Sequence, residues 1–250
     1  MDLLKVIWHD QLKLESFCKL KKLYIKQCRS LIEIFRPNTL RSLQSLEELR
    51  ISNCQLTEEV FAMRGTNDEE TGDTVQLKYL DLQNLPKLKY IWSLDRGAIF
   101  TFKNLHEVKV GDCDSLKSLF PASMARDLEQ LSLLEIYQCG VEKIVEKDEE
   151  LETTEPTFSF PQLTLLRLEQ LPELQSFYPG KHRSKWPLLK ELKICNCDKL
   201  KIFGSEDTSQ QTPIFIEKVR AANTLSLPLS ILYRIVINSF KNNEVLQIGK

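Results

Sequence analysis

One apolar spacing, L-x-x-L-x-L-x-x-C/L-x-x-L-x-x-L/I/F, recurs seven times along this chain, starting at Leu20, Leu46, Leu77, Leu105, Leu131, Leu163 and Leu189. A globular core has no use for one spacing repeated so often. A solenoid does, because each turn buries the same side chains against the turn before it. Within L-x-x-L-x-L the last two apolar residues stand two apart, which is strand spacing with both side chains on one face. The pairs are Leu23 and Ile25, Leu49 and Ile51, Leu80 and Leu82, Val108 and Val110, Leu134 and Ile136, Leu166 and Leu168, Leu192 and Ile194. Residues between and beside them face water. Stacked in parallel, these strands make one long sheet with a concave outer face. The C-x-x-L-x-x-L part has a period of three, which predicts a tight turn and then 3-10 or irregular helical structure on the convex side.

Five of the seven cysteines (Cys28, Cys54, Cys113, Cys139, Cys197) share one repeat position. A position common to successive turns is a packing position, stacked about 4.8 Å from its neighbours, where Cys acts as a small buried hydrophobe. Cys195 and Cys197 form only a C-x-C pair, without a second pair at zinc spacing. Reduced thiols fit an intracellular compartment.

A longer period overlies the first. The turns run Cys, Cys, Leu-Pro, Cys, Cys, Leu-Pro, Cys, and copies three apart are separated by 84–86 residues, so the chain reads as duplicated units of three turns. The segment LLKVIW at 3–8 matches LPKLKYIW at 85–92, which predicts that the chain starts inside a Leu-Pro turn and is a piece of a longer protein or a truncated gene product. Two acidic insertions, 67–74 and 146–156, fall at matching places and read as polar loops, as does 204–213. The expected division is a repeat array over 1–219 and a degenerate or unrelated tail over 220–250.

Charge is nearly balanced, with 34 basic and 35 acidic residues. That gives no general surface for nucleic acid or anionic membrane. No apolar run approaches the roughly 20 residues that span a bilayer, and the best stretch, 227–237, is broken by Arg234. No phosphate-binding glycine motif occurs, the three histidines (His9, His106, His182) lack metal-site spacing, and the pattern offers no buried acid for acid–base work. The expectation is a chain that is not an enzyme and holds no metal.

What remains is the wet face of the sheet. Its central column is Tyr24, Arg50, Asp81, Lys109, Glu135, Arg167 and Lys193. Beside it run Lys22, Glu48, Tyr79, Glu107, Leu133, Leu165, Glu191 and Lys26, Ser52, Gln83, Gly111, Tyr137, Glu169, Cys195. Tyrosines among mixed charges suit protein recognition. Tyr24, Arg50, Tyr79, Asp81, Lys109, Glu135, Tyr137, Arg167 and Lys193 are therefore the candidate contacts for a protein ligand, with Leu133 and Leu165 as an exposed apolar spot.

The strings NLHEVKVGDCDSLKSLFPASMARDLEQLSLLEIYQCGVEKIVEKDEE, LPKLKYIWSLD and LPELQSFYPG resemble the leucine-rich repeats of plant disease-resistance proteins. The closer likeness is to the coiled-coil, nucleotide-binding, leucine-rich-repeat immune receptors, and it covers residues 3–219. The resemblance implies an α/β leucine-rich-repeat solenoid and a cytoplasmic receptor region, with a place peripheral to the plasma membrane in the full receptor as a further expectation. Its partners would be a pathogen effector or a guarded host protein, and the receptor's own nucleotide-binding domain. ATP or ADP would belong to that domain and not to this chain. The alternative is a repeat adaptor such as a substrate receptor of a ubiquitin ligase, although the sequence shows no F-box-like helical segment. A secreted ectodomain fits less well, because no N-x-S/T sequon occurs.

Overall fold

The computed structural model describes residues 4, 5, 7, 17–36, 39, 40, 42–63, 74–94, 101–147, 156–180, 182–200 and 246–247. The seven expected strands are all present: β1 (Lys22–Lys26), β3 (Glu48–Ser52), β5 (Tyr79–Gln83), β7 (Glu107–Cys113), β9 (Leu133–Cys139), β12 (Leu165–Glu169) and β14 (Glu191–Cys195). They lie side by side in that order, each parallel to the next. Register is in step throughout, so that Leu23, Leu49, Leu80, Val108, Leu134, Leu166 and Leu192 form one row, and Ile25 through Ile194 a second. These rows join a single apolar core. Only Leu23, on the first of these strands, is half-buried rather than buried.

The chain leaves every one of these strands in the same way. The residue just before the Cys or Leu of the turn has a left-handed backbone: Gln27, Asn53, Asn84, Asp112, Gln138, Gln170 and Asn196, with φ between 50° and 58°. That conformation costs an L-residue roughly 1–2 kcal/mol and is best tolerated by Asn and Asp, which fill four of the seven positions. The five cysteine thiols follow directly. Each donates to the carbonyl two residues earlier, from 3.1 Å for Cys139 on Tyr137 to 3.6 Å for Cys28 on Lys26. The position is thus more than apolar filler: at the bend the thiol adds a donor to carbonyls of which those of Ser52, Gly111 and Cys195 also accept a backbone N–H from the preceding turn.

The second side differs from the helical expectation. The five-residue α1 (Ala122–Arg126) packs against its neighbours there, but most of that side is short parallel strand. β2 (Glu33–Phe35), β4 (Glu59–Met63) and β6 (Tyr90–Leu94) form one small sheet, β8 (Ser118–Pro121) and β10 (Lys143–Glu146) a second, β11 (Thr157–Ser159) and β13 (Arg183–Lys185) a third. The physical reason is in the side chains. Ile34-Phe35, Val60-Phe61, Ile91-Trp92, Leu119-Phe120 and Ile144-Val145 are consecutive buried pairs of β-branched, aromatic or large aliphatic residues. An extended segment points such a pair to opposite faces, and here both faces are covered. Phe61 stacks on Phe35 and Trp92 at 5.3 and 4.7 Å, and Phe102 from the returning chain closes edge-on over Phe61 and Trp92 at 5.1 and 4.4 Å.

β15 (Leu246–Gln247) pairs antiparallel with β14 at the far end of the long sheet. The cores of the acidic insertions, the polar loop 204–213 and the rest of the tail lie outside the described residues. Of the initial LLKVIW, Leu4 and Ile7 pack against the core.

Candidate protein-recognition face

Because the strands stay in register, alternate residues that are not in the core share one open face. Tyr24, Arg50, Asp81, Lys109, Glu135, Arg167 and Lys193 are successive register partners and form a single column. Tyr79 and Tyr137 stand in the columns on either side. All nine candidate residues are therefore brought onto one face, although not as one cluster.

At the first two turns the centre is Glu48. Its carboxylate accepts from Lys22 Nζ at 2.8 Å, Arg50 Nε at 2.7 Å and the Tyr24 hydroxyl at 2.9 Å. It is 6% exposed, which corrects the expectation of no buried acid. The cover consists of its own partners lying over the sheet, not of apolar core. Lys22 first, then Tyr24 and Arg50, hold the Glu48 carboxyl below its ordinary pKa against the opposing effect of desolvation. The Arg50 guanidinium also lies 5.5 Å from the Tyr24 ring centre.

At the last turns the centre is Arg167. It is held by Glu191 and Glu135, each at 2.8 Å, and Glu191 leads in raising its pKa. Lys193 pairs with Glu169 at 2.9 Å. Lys109 sits between Glu107 and Glu135 at 3.7 and 3.8 Å.

The middle of the face is built differently. The Tyr137 ring lies over Gly111 on the neighbouring strand, and its hydroxyl donates to Gln83 Oε1 on the strand beyond. Gln83 in turn donates to Asp81 at 2.8 Å. A Cβ at position 111 would run into the Tyr137 ring, so only glycine leaves that lane clear. Burial first, then the negative charges of Asp112 and Asp81, push the Tyr137 phenol up. Tyr24 and Tyr79 are exposed, whereas Tyr137 is half-buried and already engaged. Leu133 and Leu165 are register partners but half-buried, so the apolar spot is smaller than expected. Cys195, placed with them on the wet face, is buried.

Sequence reasoning missed Glu48 as a hub, and Gly111, Gln83 and Asp112 as neighbours of Tyr137. The available signal was a glycine one strand away from a tyrosine in the same column. His106 is half-buried beside Tyr79, with ring centres 6.4 Å apart. His182 is buried among Phe158, Phe177 and Tyr178. Among the described residues no three metal-ligating side chains come together, and no helix is long and apolar enough to cross a membrane.

The family described as plant disease resistance protein RPS2-like, leucine-rich repeats, matches residues 1–140, more than half of the chain. The chain belongs to this family. Its fold is the α/β leucine-rich-repeat solenoid. The match to the disease-resistance repeats ends just after β9, and the two later repeats keep the same strand register and the same left-handed residue. Neither the curated proteins nor the solved structures gave a match to set beside these repeats.

Proposed function

We propose that this chain is the protein-recognition region of an intracellular plant immune receptor of the coiled-coil, nucleotide-binding type. Its open face senses a pathogen effector or a guarded host protein, and in the full receptor it also contacts the nucleotide-binding domain to hold it inactive. The chain works by binding, without turnover, and nucleotide belongs to the neighbouring domain. The observation that carries the reading is the uninterrupted face of seven in-register turns, with exposed Tyr24 and Tyr79 set among ordered ion pairs. Rigid aromatic side chains give contact area at low entropic cost, and side chains already held by partners lose little freedom on binding.

The test is proximity labelling in plant cells with the whole chain and with a Tyr24→Ala/Tyr79→Ala/Arg167→Ala variant. A partner labelled by the native chain and lost from the variant, with the variant still folded by circular dichroism, supports the proposal. Partners labelled equally by both would place recognition elsewhere and overturn it.

A further inference from the structure

The cations of the central column are all turned towards glutamates. Arg50 is drawn to Glu48 and Tyr24, Lys109 lies between Glu107 and Glu135, Arg167 joins Glu135 to Glu191, and Lys193 takes Glu169. Asp81, in the same column, receives only the Gln83 amide, and neither Asp81 nor Asp112 enters an ion pair among the described residues. Asp81 is joined to the Tyr137 hydroxyl through Gln83, and Asp112 directly follows Gly111, over which the ring lies, so both stand near the ring; both also act electrostatically on its phenol. That ring is held in place: it lies over Gly111, and its hydroxyl is tied to Gln83. The centre of the face therefore combines a preset aromatic plane with two carboxylates that have spare acceptor capacity.

We propose that this patch, formed by the Tyr137 ring with Asp81 and Asp112, receives an arginine side chain from the protein partner. A guanidinium is planar, stacks on an aromatic face and donates in a fork to carboxylate oxygens. A lysine ammonium offers the charge without the plane, and is more strongly hydrated. Holding Tyr137 in advance lowers the ordering cost of binding. The inference rests on the recognition-face reading and names the chemistry of the ligand at its centre.

The test is calorimetric titration of the whole chain with a six-residue arginine peptide and a six-residue lysine peptide at low salt. Arginine should bind several-fold more tightly. Asp81→Asn/Asp112→Asn should weaken it by about tenfold or more, and Asn suits the left-handed backbone at position 112. Tyr137→Ala should do the same, Tyr137→Phe should keep most of the binding because the ring remains, and Asp114→Asn, outside the face, should change nothing. Equal affinity for the two peptides, no binding, or indifference to the double variant would each overturn the arginine patch. That failure leaves the recognition face standing if the labelled partner is still lost on removing Tyr24, Tyr79 and Arg167. Loss of both results would remove the face itself.

Discussion

At the scale of single residues, the bend after each strand is where the chain accepts strain. Gln170 is exposed, yet its φ of 54° is fixed by the turn. A β-branched side chain tolerates that conformation worst, so Gln170→Val should cost about 1 kcal/mol in urea melts beyond the strain that Gln already carries, although it buries nothing. Gln170→Gly, which removes that strain, should be neutral or stabilising. The thiols respond to the same geometry. Burial pushes the Cys54 thiol up. The Cys139 hydrogen bond and burial push Cys113 well up, and burial takes Cys197 to about 11. Since the thiolate is the reactive form, iodoacetamide near neutral pH should label half-exposed Cys18 first, with Cys54 and Cys113 labelled only on unfolding. The labelling rate of Cys197 should rise with pH until about 11, read by mass spectrometry. The cysteine column was legible in the sequence because five residues share a position. The Asn, Asp and Gln column just before it was not singled out, because no periodic apolar signal marks it. Glu48 escaped for another reason: its burial comes from Lys22, Tyr24 and Arg50 folding over it, which alternation along one strand cannot show.

At the scale of elements, the two faces of each long strand should behave oppositely. Leu80 and Leu166 are buried in the core, and Leu80→Ala or Leu166→Ala should cost about 2–5 kcal/mol. Asp81→Ala should stay within about 0.5 kcal/mol. Arg167→Ala should cost at most about 1 kcal/mol, since its ion pairs are part-exposed. Equal costs in denaturant melts would contradict the assignment of faces. The short strands follow less obviously from sequence. A period of three describes Cys28, Leu31 and Ile34 well, but the next residue, Phe35, is buried too, on the opposite face, and that second buried residue is what selects an extended segment. The helical expectation failed because it weighed the spacing and not the consecutive pair. Where β11 and β13 meet, His182 is buried with Nδ1 on the Gly180 carbonyl at 3.0 Å, while Nε2 has no hydrogen-bond partner among the described residues. Burial therefore lowers its pKa from 6.5. The unfolded chain takes up a proton before the folded chain does, so stability present above about pH 6.5 is lost as pH falls through the window beneath it. His182→Phe should flatten the decline in unfolding midpoint between about pH 7 and 5.5, above the carboxylate range.

At the scale of the whole molecule, ion pairs link neighbouring turns in sequence. Glu47 is shared by Lys21 and Lys78 at 3.3 and 2.9 Å, Glu58 meets Lys89 at 2.9 Å, Lys117 meets Glu142 at 3.0 Å and Glu173 meets Lys199 at 2.6 Å. Each joins one turn to the next. These pairs are part-exposed and screened by salt, so raising ionic strength from about 0.05 to 0.5 M should lower stability by less than about 1 kcal/mol, measured in urea melts. Seven parallel turns were legible because one spacing recurs with so few exceptions. The arrangement on their open face was not, because ion pairing and the reach of Tyr137 run across strands while the sequence runs along them. The uniform left-handed bend has one more consequence. Since every rung ends in the same corner and meets its neighbour in the same register, a rung inserted or deleted as a unit would find matching edges above and below. An array joined in this way is free to lengthen, shorten or exchange its middle over generations without redrawing what remains.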